Sequence, residues 1–164
     1  GVYEFLKGKK VPRLKIKWLN DILSGNKKIA GILIENAFQN SCVKHSVVGI
    51  GLNVNQTLFP DSLKNATSLK NVLKKDFNLE NLLGELVKSI QKEINACLPQ
   101  HFKKAKSRYL EALYKNNVPS MFQTDDKVPF MAKIIGVSAS GKLQLVLTNE
   151  EVKEFEIKEI QFLN

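Results

Sequence analysis

Three short stretches near the N-terminus hold the side chains whose types and spacing could do chemistry. They are Lys17-Trp18-Leu19-Asn20-Asp21-Ile22, the run from Lys27 through Lys28-Ile29-Ala30-Gly31 to Glu35, and Gly49-Ile50-Gly51-Leu52-Asn53-Val54-Asn55. In each, polar or charged side chains stand at the ends of strongly β-prone runs, and small residues interrupt those runs. A rigid sheet presents a small-molecule site in this way: the backbone is fixed, glycine permits close approach and a few polar groups converge. Taken singly the residues say less. Lys27-Lys28 alone reads as solvated lysines at a hairpin turn, Asn20-Asp21 as a turn, and Asn53 as a strand-end asparagine satisfying nearby backbone. The combination is what points to a ligand.

The elements that must position these residues follow from periodicity. Leu14, Ile16 and Trp18 alternate with Arg13, Lys15 and Lys17, which predicts a half-buried strand ending at Asn20-Asp21. Ser24-Gly25-Asn26 is a tight turn, and Lys28–Phe38 is expected to pair back on the first strand as a hairpin. Ser46–Val54 is nearly continuous in apolar residues and reads as a third strand buried on both faces. Pro60–Leu73 reads as loop and short helix around Ala66-Thr67-Ser68-Leu69. Leu79–Leu98 carries a 3.6-residue apolar period with Asn78 as its cap, Pro99 ends it, and His101–Asn116 is a second amphipathic helix. Both helices are expected to form core. After Asn116-Asn117-Val118-Pro119 come Lys127–Val137, Leu143–Leu147, Val152–Ile157 and Ile160–Leu163, short strands whose turns argue a small antiparallel barrel.

Composition narrows the classes. With 43% hydrophobic and 25% charged residues, the 164-residue chain is globular rather than disordered. Its apolar stretches, Ile29–Ile34 and Val47–Leu52 among them, are too short to span a bilayer as helices. Cys42 and Cys97 make neither a metal spacing nor a disulfide framework, and His45 and His101 are isolated. A cytoplasmic protein is the expectation. The net charge of +9 is uneven: residues 1–117 hold 20 Lys/Arg against 9 Asp/Glu, and residues 118–164 hold 5 against 7. A basic front part suits an anionic partner, although most of these lysines read as a solvated surface.

Read together, the three stretches resemble the catalytic domain of biotin protein ligases. The resemblance implies an α+β fold: a mixed β-sheet with packed helices, partial and class II synthetase-like, over residues 1–117, then an SH3-like β-barrel over 118–164. Phe130–Gly136, Gly141-Lys142-Leu143 and Phe155–Phe162 carry the second part of the likeness. It further implies that biotin attacks the α-phosphate of ATP, that pyrophosphate leaves, and that a lysine of an acceptor protein attacks the resulting biotinyl-5′-adenylate. Lys28 matches the family's lysine before a small-residue pair, and is the implied catalytic cation at the biotin carboxyl. Gly31 is implied in biotin binding, Asn20, Asp21 and Asn53 in nucleotide binding, and Asp21 as a Mg²⁺ ligand.

The chain departs from the family pattern in two places. Leu19 stands where proline is usual in Lys-Trp-Pro-Asn-Asp. The glycine- and arginine-rich adenylate loop, which lies upstream in the family, has no counterpart: Arg13 and Arg108 are the only arginines, and neither is in glycine-rich context. The likeness therefore covers the second half of the catalytic domain plus the C-terminal domain, and a truncated or partial chain is the expectation. Implied substrates are biotin, ATP with Mg²⁺ and the biotin carboxyl carrier protein of a carboxylase, with a homodimer as one assembly to look for. No helix-turn-helix and no apolar stretch of bilayer-spanning length are present, so neither nucleic acid nor membrane is expected as a partner. The competing readings are a lipoate or octanoate ligase-like transferase, and an inactive fragment with weak ligand or carrier binding.

Overall fold

The computed structural model describes residues 1–96 and 101–163, so Cys97, Leu98 and Pro99, the expected end of the long helix, lie outside the described residues. Helices and antiparallel sheets combine in an α+β arrangement, and the chain divides into two compact units, Gly1–Phe102 and Lys103–Asn164.

The first unit opens with helix α1 (Val2–Gly8), whose Val2, Phe5 and Leu6 are buried. A four-stranded antiparallel sheet follows in sequential order: β1 (Leu14–Lys17), β2 (Asp21–Ser24), β3 (Lys27–Gln39) and β4 (Cys42–Leu52). The expected hairpin is thereby corrected. The chain turns at 18–20, so Asp21 opens β2 rather than ending the first strand, and β3 pairs with β2. Ile22 and Leu23 are 2% and 5% exposed, and their burial requires this short extra strand between β1 and β3.

The reading of β4 as buried on both faces is also corrected. Most of the strand is exposed, because β4 is the sheet edge and its outer half pairs only with the outer half of β3. The core lies at the other end, where Leu6, Ile29 and Leu69 are completely buried. Removing each such side chain from water contributes about 1.5–3 kcal/mol.

Helix α2 (Leu69–Leu73) starts at Ser68, whose hydroxyl accepts from the Asn71 N–H at 3.1 Å. Helix α3 (Leu79–Ala96) is capped by Asn78, which accepts from the Asn81 N–H at 2.9 Å, as its sequence suggested. Only part of its apolar face makes core, however. Leu82 and Leu86 are buried, whereas Leu79, Leu83, Val87 and Ile94 remain exposed. The apolar stripe is wider than the surface that α1 and the sheet offer it.

Helix α4 (Phe102–Ala112) leads into the second unit, where Ala112 and Leu113 are buried but Phe102 is 60% exposed. Burial pushes the Tyr109 hydroxyl up to about 12. Five antiparallel strands follow: β5 (Pro119–Gln123), β6 (Pro129–Val137), β7 (Leu143–Leu147), β8 (Val152–Phe155) and β9 (Gln161–Phe162), in the order β8-β7-β6-β5-β9. Along β6, Ala132, Ile134 and Gly136 face inward and alternate with exposed neighbours. Phe122 is wholly buried, its ring 5.2 Å from Phe162 and 6.1 Å from Phe130.

Candidate active site

Lys28 and Gly31 are three residues apart, a spacing that sends side chains to opposite faces of a regular strand. The register of β2 on β3 is not regular. Ile22 pairs with Ala30 and Leu23 with Lys28, so β3 accommodates Ile29 as one extra residue. A bulge of this kind re-aims the side chain beside it. Lys28 is brought over Gly31, and its Nζ lies 2.6 Å from Oδ1 of Asp21, the cross-strand partner of Gly31. A methyl group on Gly31 would sit 3.0 Å from both Cε and Nζ of Lys28 and 3.5 Å from Asp21 Oδ1. Glycine at this position clears the path of the lysine as well as any approach by a ligand.

The ion pair is open to solvent: the side chains of Lys28 and Asp21 are 48% and 36% exposed. Pairs this exposed contribute about 0–1 kcal/mol, so a ligand can open it at small cost. Gly51 lies directly across from Gly31, and the nearest atom to its missing Cβ is Gly31 O at 4.0 Å. Two strands therefore present a floor without side chains next to a cation and a carboxylate. Gly51 was not among the expected site residues, although the Gly49-Ile50-Gly51 run was its available signal.

The backbone beneath Lys28 is tied down by the segment 65–69. The Lys28 N–H donates to Asn65 O at 2.7 Å, and the Thr67 N–H donates to Lys28 O at 2.8 Å. Asn53 completes the tether: its N–H donates to Ile29 O at 3.0 Å, its carbonyl accepts from the Leu69 N–H at 3.0 Å, and its Nδ2 donates to Thr67 O at 2.9 Å. Thr67 and Ser68 are buried beneath the site strand's tether. Asn53 thus stands beside the site with its amide nitrogen already engaged. Asn20 is half-buried in the turn before β2, where its carbonyl accepts from the Ile32 N–H at 3.0 Å. Trp18 is buried at 8% exposure.

The donor set does not fit a resident metal ion. Asp21 supplies one carboxylate, already engaged by Lys28, and among the described residues no group of three or more His, Cys, Asp or Glu could hold a metal. His45 is exposed on β4, and Asp126 lies in the second unit. There the Thr124 hydroxyl and the Val128 N–H hold the Asp126 carboxyl below its usual range. No helix among the described residues is long and apolar enough to cross a membrane.

A sequence model described as the Biotin/lipoate A/B protein ligase family matches residues 6–53, the span that contains Asp21, Lys28, Gly31 and Gly51. The bifunctional ligase/repressor BirA of Bacillus subtilis is 31% identical over 149 residues, 89% of this chain and 45% of the relative. The apo structure of the Aquifex aeolicus biotin protein ligase superposes with a TM-score of 0.78 at 26% identity, covering 99% of this chain and 71% of that one. The chain is similar to biotin protein ligases over nearly its whole length. It spans about half the length of the curated BirA relatives. The same Aquifex ligase in complex with biotin and ATP gives a TM-score of 0.77 at 25% identity, over 99% of this chain and 67% of that one. Biotin protein ligase 1, chloroplastic, of Arabidopsis thaliana is 27% identical over 148 residues, 86% of this chain and 39% of the relative.

Proposed function

We propose that this chain takes part in ATP-dependent activation of biotin to biotinyl-5′-AMP and in its transfer to a lysine of a biotin carboxyl carrier protein. The observation that carries the reading is the convergence of Lys28, Asp21 and the Gly31–Gly51 floor on one open patch. That patch lies inside the segment matched by the family model.

In the first step a biotin carboxylate oxygen attacks the α-phosphorus and the bond to pyrophosphate breaks. In the second, the acceptor amine attacks the acyl carbon, AMP departs and the amine loses a proton. Both steps concentrate negative charge at the carboxyl–phosphate junction. Lys28, with its backbone fixed by residues 65 and 67, supplies a preorganised cation there. One well-placed donor of this kind lowers a barrier by about 2.7–4 kcal/mol. The Gly31–Gly51 floor lets the ligand lie against backbone, and Asn20 and Asn53 flank it on the nucleotide side. Mg²⁺ accompanies ATP as part of the substrate. The acidic character typical of carrier domains suits the excess of 20 Lys/Arg over 9 Asp/Glu in residues 1–117. A second copy of this chain is a further partner, suited to the exposed apolar outer hairpin.

The test is biotin-dependent pyrophosphate release from ATP, with lipoate and octanoate as competing acids. Release with biotin, and biotinylation of an added carrier domain, are the expected results. Release with lipoate or octanoate but not biotin would assign the chain to the lipoate branch. Absence of release with all three acids would leave at most a binding role.

A further inference from the structure

The pairing of Lys28 with Asp21 carries an inference that rests on the biotin-ligase reading and deepens it. We propose that Asp21 is a positioning residue: its carboxylate holds the Lys28 ammonium over Gly31 until an anionic group of the ligand replaces it. Three observations converge. The bulge at Ile29 places the lysine on the face of Asp21, although regular spacing would send it away. The 2.6 Å contact holds the ammonium beside the glycine floor, where a Cβ on residue 31 would sit 3.0 Å from Lys28 Cε and Nζ and push the lysine tip aside by a few tenths of an ångström.

A lysine on a four-carbon stem is otherwise mobile and costly to immobilise, with about 2 kcal/mol of rotamer entropy to lose. A counter-ion that holds it in advance removes part of that cost from the binding step. Because the pair is half-exposed, the hold is weak and reversible. A ligand carboxylate or phosphate then takes the ammonium without breaking a buried ion pair. Asp21 acts through Lys28 in this scheme and touches no reacting atom.

Competitive acetylation of the lysines in the full 164-residue chain, read by mass spectrometry, tests this without requiring turnover. Lys27, next in sequence and exposed, is the internal reference. In the free native chain Lys28 should react about threefold more slowly than Lys27, the scale of an exposed ion pair. Asp21→Asn should bring the two rates together, and Asp21→Glu should restore much of the difference. Gly31→Ala, which leaves the carboxylate in place but crowds the tip of the lysine, should also raise Lys28 reactivity, by less than Asp21→Asn. Circular dichroism of each variant separates misfolding from a local effect.

Equal rates for Lys28 and Lys27 in the native chain, or protection unchanged by Asp21→Asn, would overturn the proposal. Adding biotin and ATP to Asp21→Asn should renew protection of Lys28. If the free-chain pattern holds but these ligands protect neither protein, the positioning role stands and it is the biotin-ligase reading that fails.

Discussion

The two ends of the β3–β4 hairpin are built from similar residues and behave in opposite ways. At the inner end Ile29 and Ala30 are 0% and 1% exposed, whereas at the outer end Leu33, Phe38 and Val47 are each at least 60% exposed. Strand propensity is the same throughout, and the cross-strand pairing runs almost uninterrupted from Ala30↔Leu52 to Gln39↔Cys42. What differs is the covering layer. α1, α2 and α3 close over the inner end, and the segment 65–69 ties its backbone to Lys28 and Asn53. Ile32 and Ile50 still pack against the core, but Ile34 and Val48, the next pair on the same face, do not. The difference teaches that β-propensity makes a ribbon, while only a second layer makes a site. The proposed chemistry sits where the backbone is tied down.

Substitutions at the two ends should diverge most in stability. Ile29→Ala is expected to cost about 2–5 kcal/mol in urea unfolding, whereas Leu33→Ala should stay within about 0.5 kcal/mol. A large loss at Leu33 would mean that the outer ribbon has a partner layer after all. Next comes the tether. Asn53→Ala removes the bond to Thr67 and should cost about 0.5–1.5 kcal/mol, with faster amide hydrogen exchange at Thr67. Exchange at the Val47 amide should not change, since the outer end does not depend on the tether.

Much of this was legible in the sequence, and what was missed turned on a short element or on the partners that pair with and cover a strand. The period of α3 and the alternation of β6 are local patterns, so each element was found near its observed limits. The candidate site residues also stood out in the sequence, because lysine, glycine and the Asn-Asp pair carry their chemistry with them. The short strand β2 was hidden because four residues give too little alternation to separate a strand from a connection. The exposure of β4 was hidden because an apolar run says that a strand forms and not whether anything covers it. The bulge at Ile29 left no trace, since a register shift belongs to the pairing of two strands and not to either sequence. Without it, the approach of Lys28 to Asp21 cannot be read from spacing.

The outer end also makes a prediction about association. Contiguous exposed apolar surface marks an interaction site. Replacing Ile34 and Val48 together by threonine should leave the unfolding midpoint nearly unchanged and reduce any concentration-dependent self-association seen by sedimentation. If association persists, the ribbon is not its surface.

The smallest effect belongs to the second unit, where Lys142 and Glu156 pair at 2.8 Å on the surface. Lys142 holds the Glu156 carboxyl below its usual range, and Glu156 raises the Lys142 ammonium. The lowered carboxyl stabilises the fold above its ordinary pKa and loses that contribution as the pH falls through its folded value. The raised ammonium stabilises below its ordinary pKa and loses that contribution as the pH climbs through its folded value. Stability from the pair should thus form a plateau that declines at both extremes, and Glu156→Gln should flatten it in melting curves taken across pH. The tethered inner hairpin should be indifferent to this substitution.

The central claim is that the inner end of the hairpin binds the carboxyl–phosphate junction of an activated biotin through Lys28. Calorimetric titration of a non-hydrolysable biotinyl-adenylate analogue into the native chain and into Lys28→Ala tests it most directly. Saturable binding that weakens about 10–100-fold in the variant is the predicted result, the scale of a lost hydrogen bond to a charged group. Equal affinity in the two proteins, or binding by neither, would contradict it.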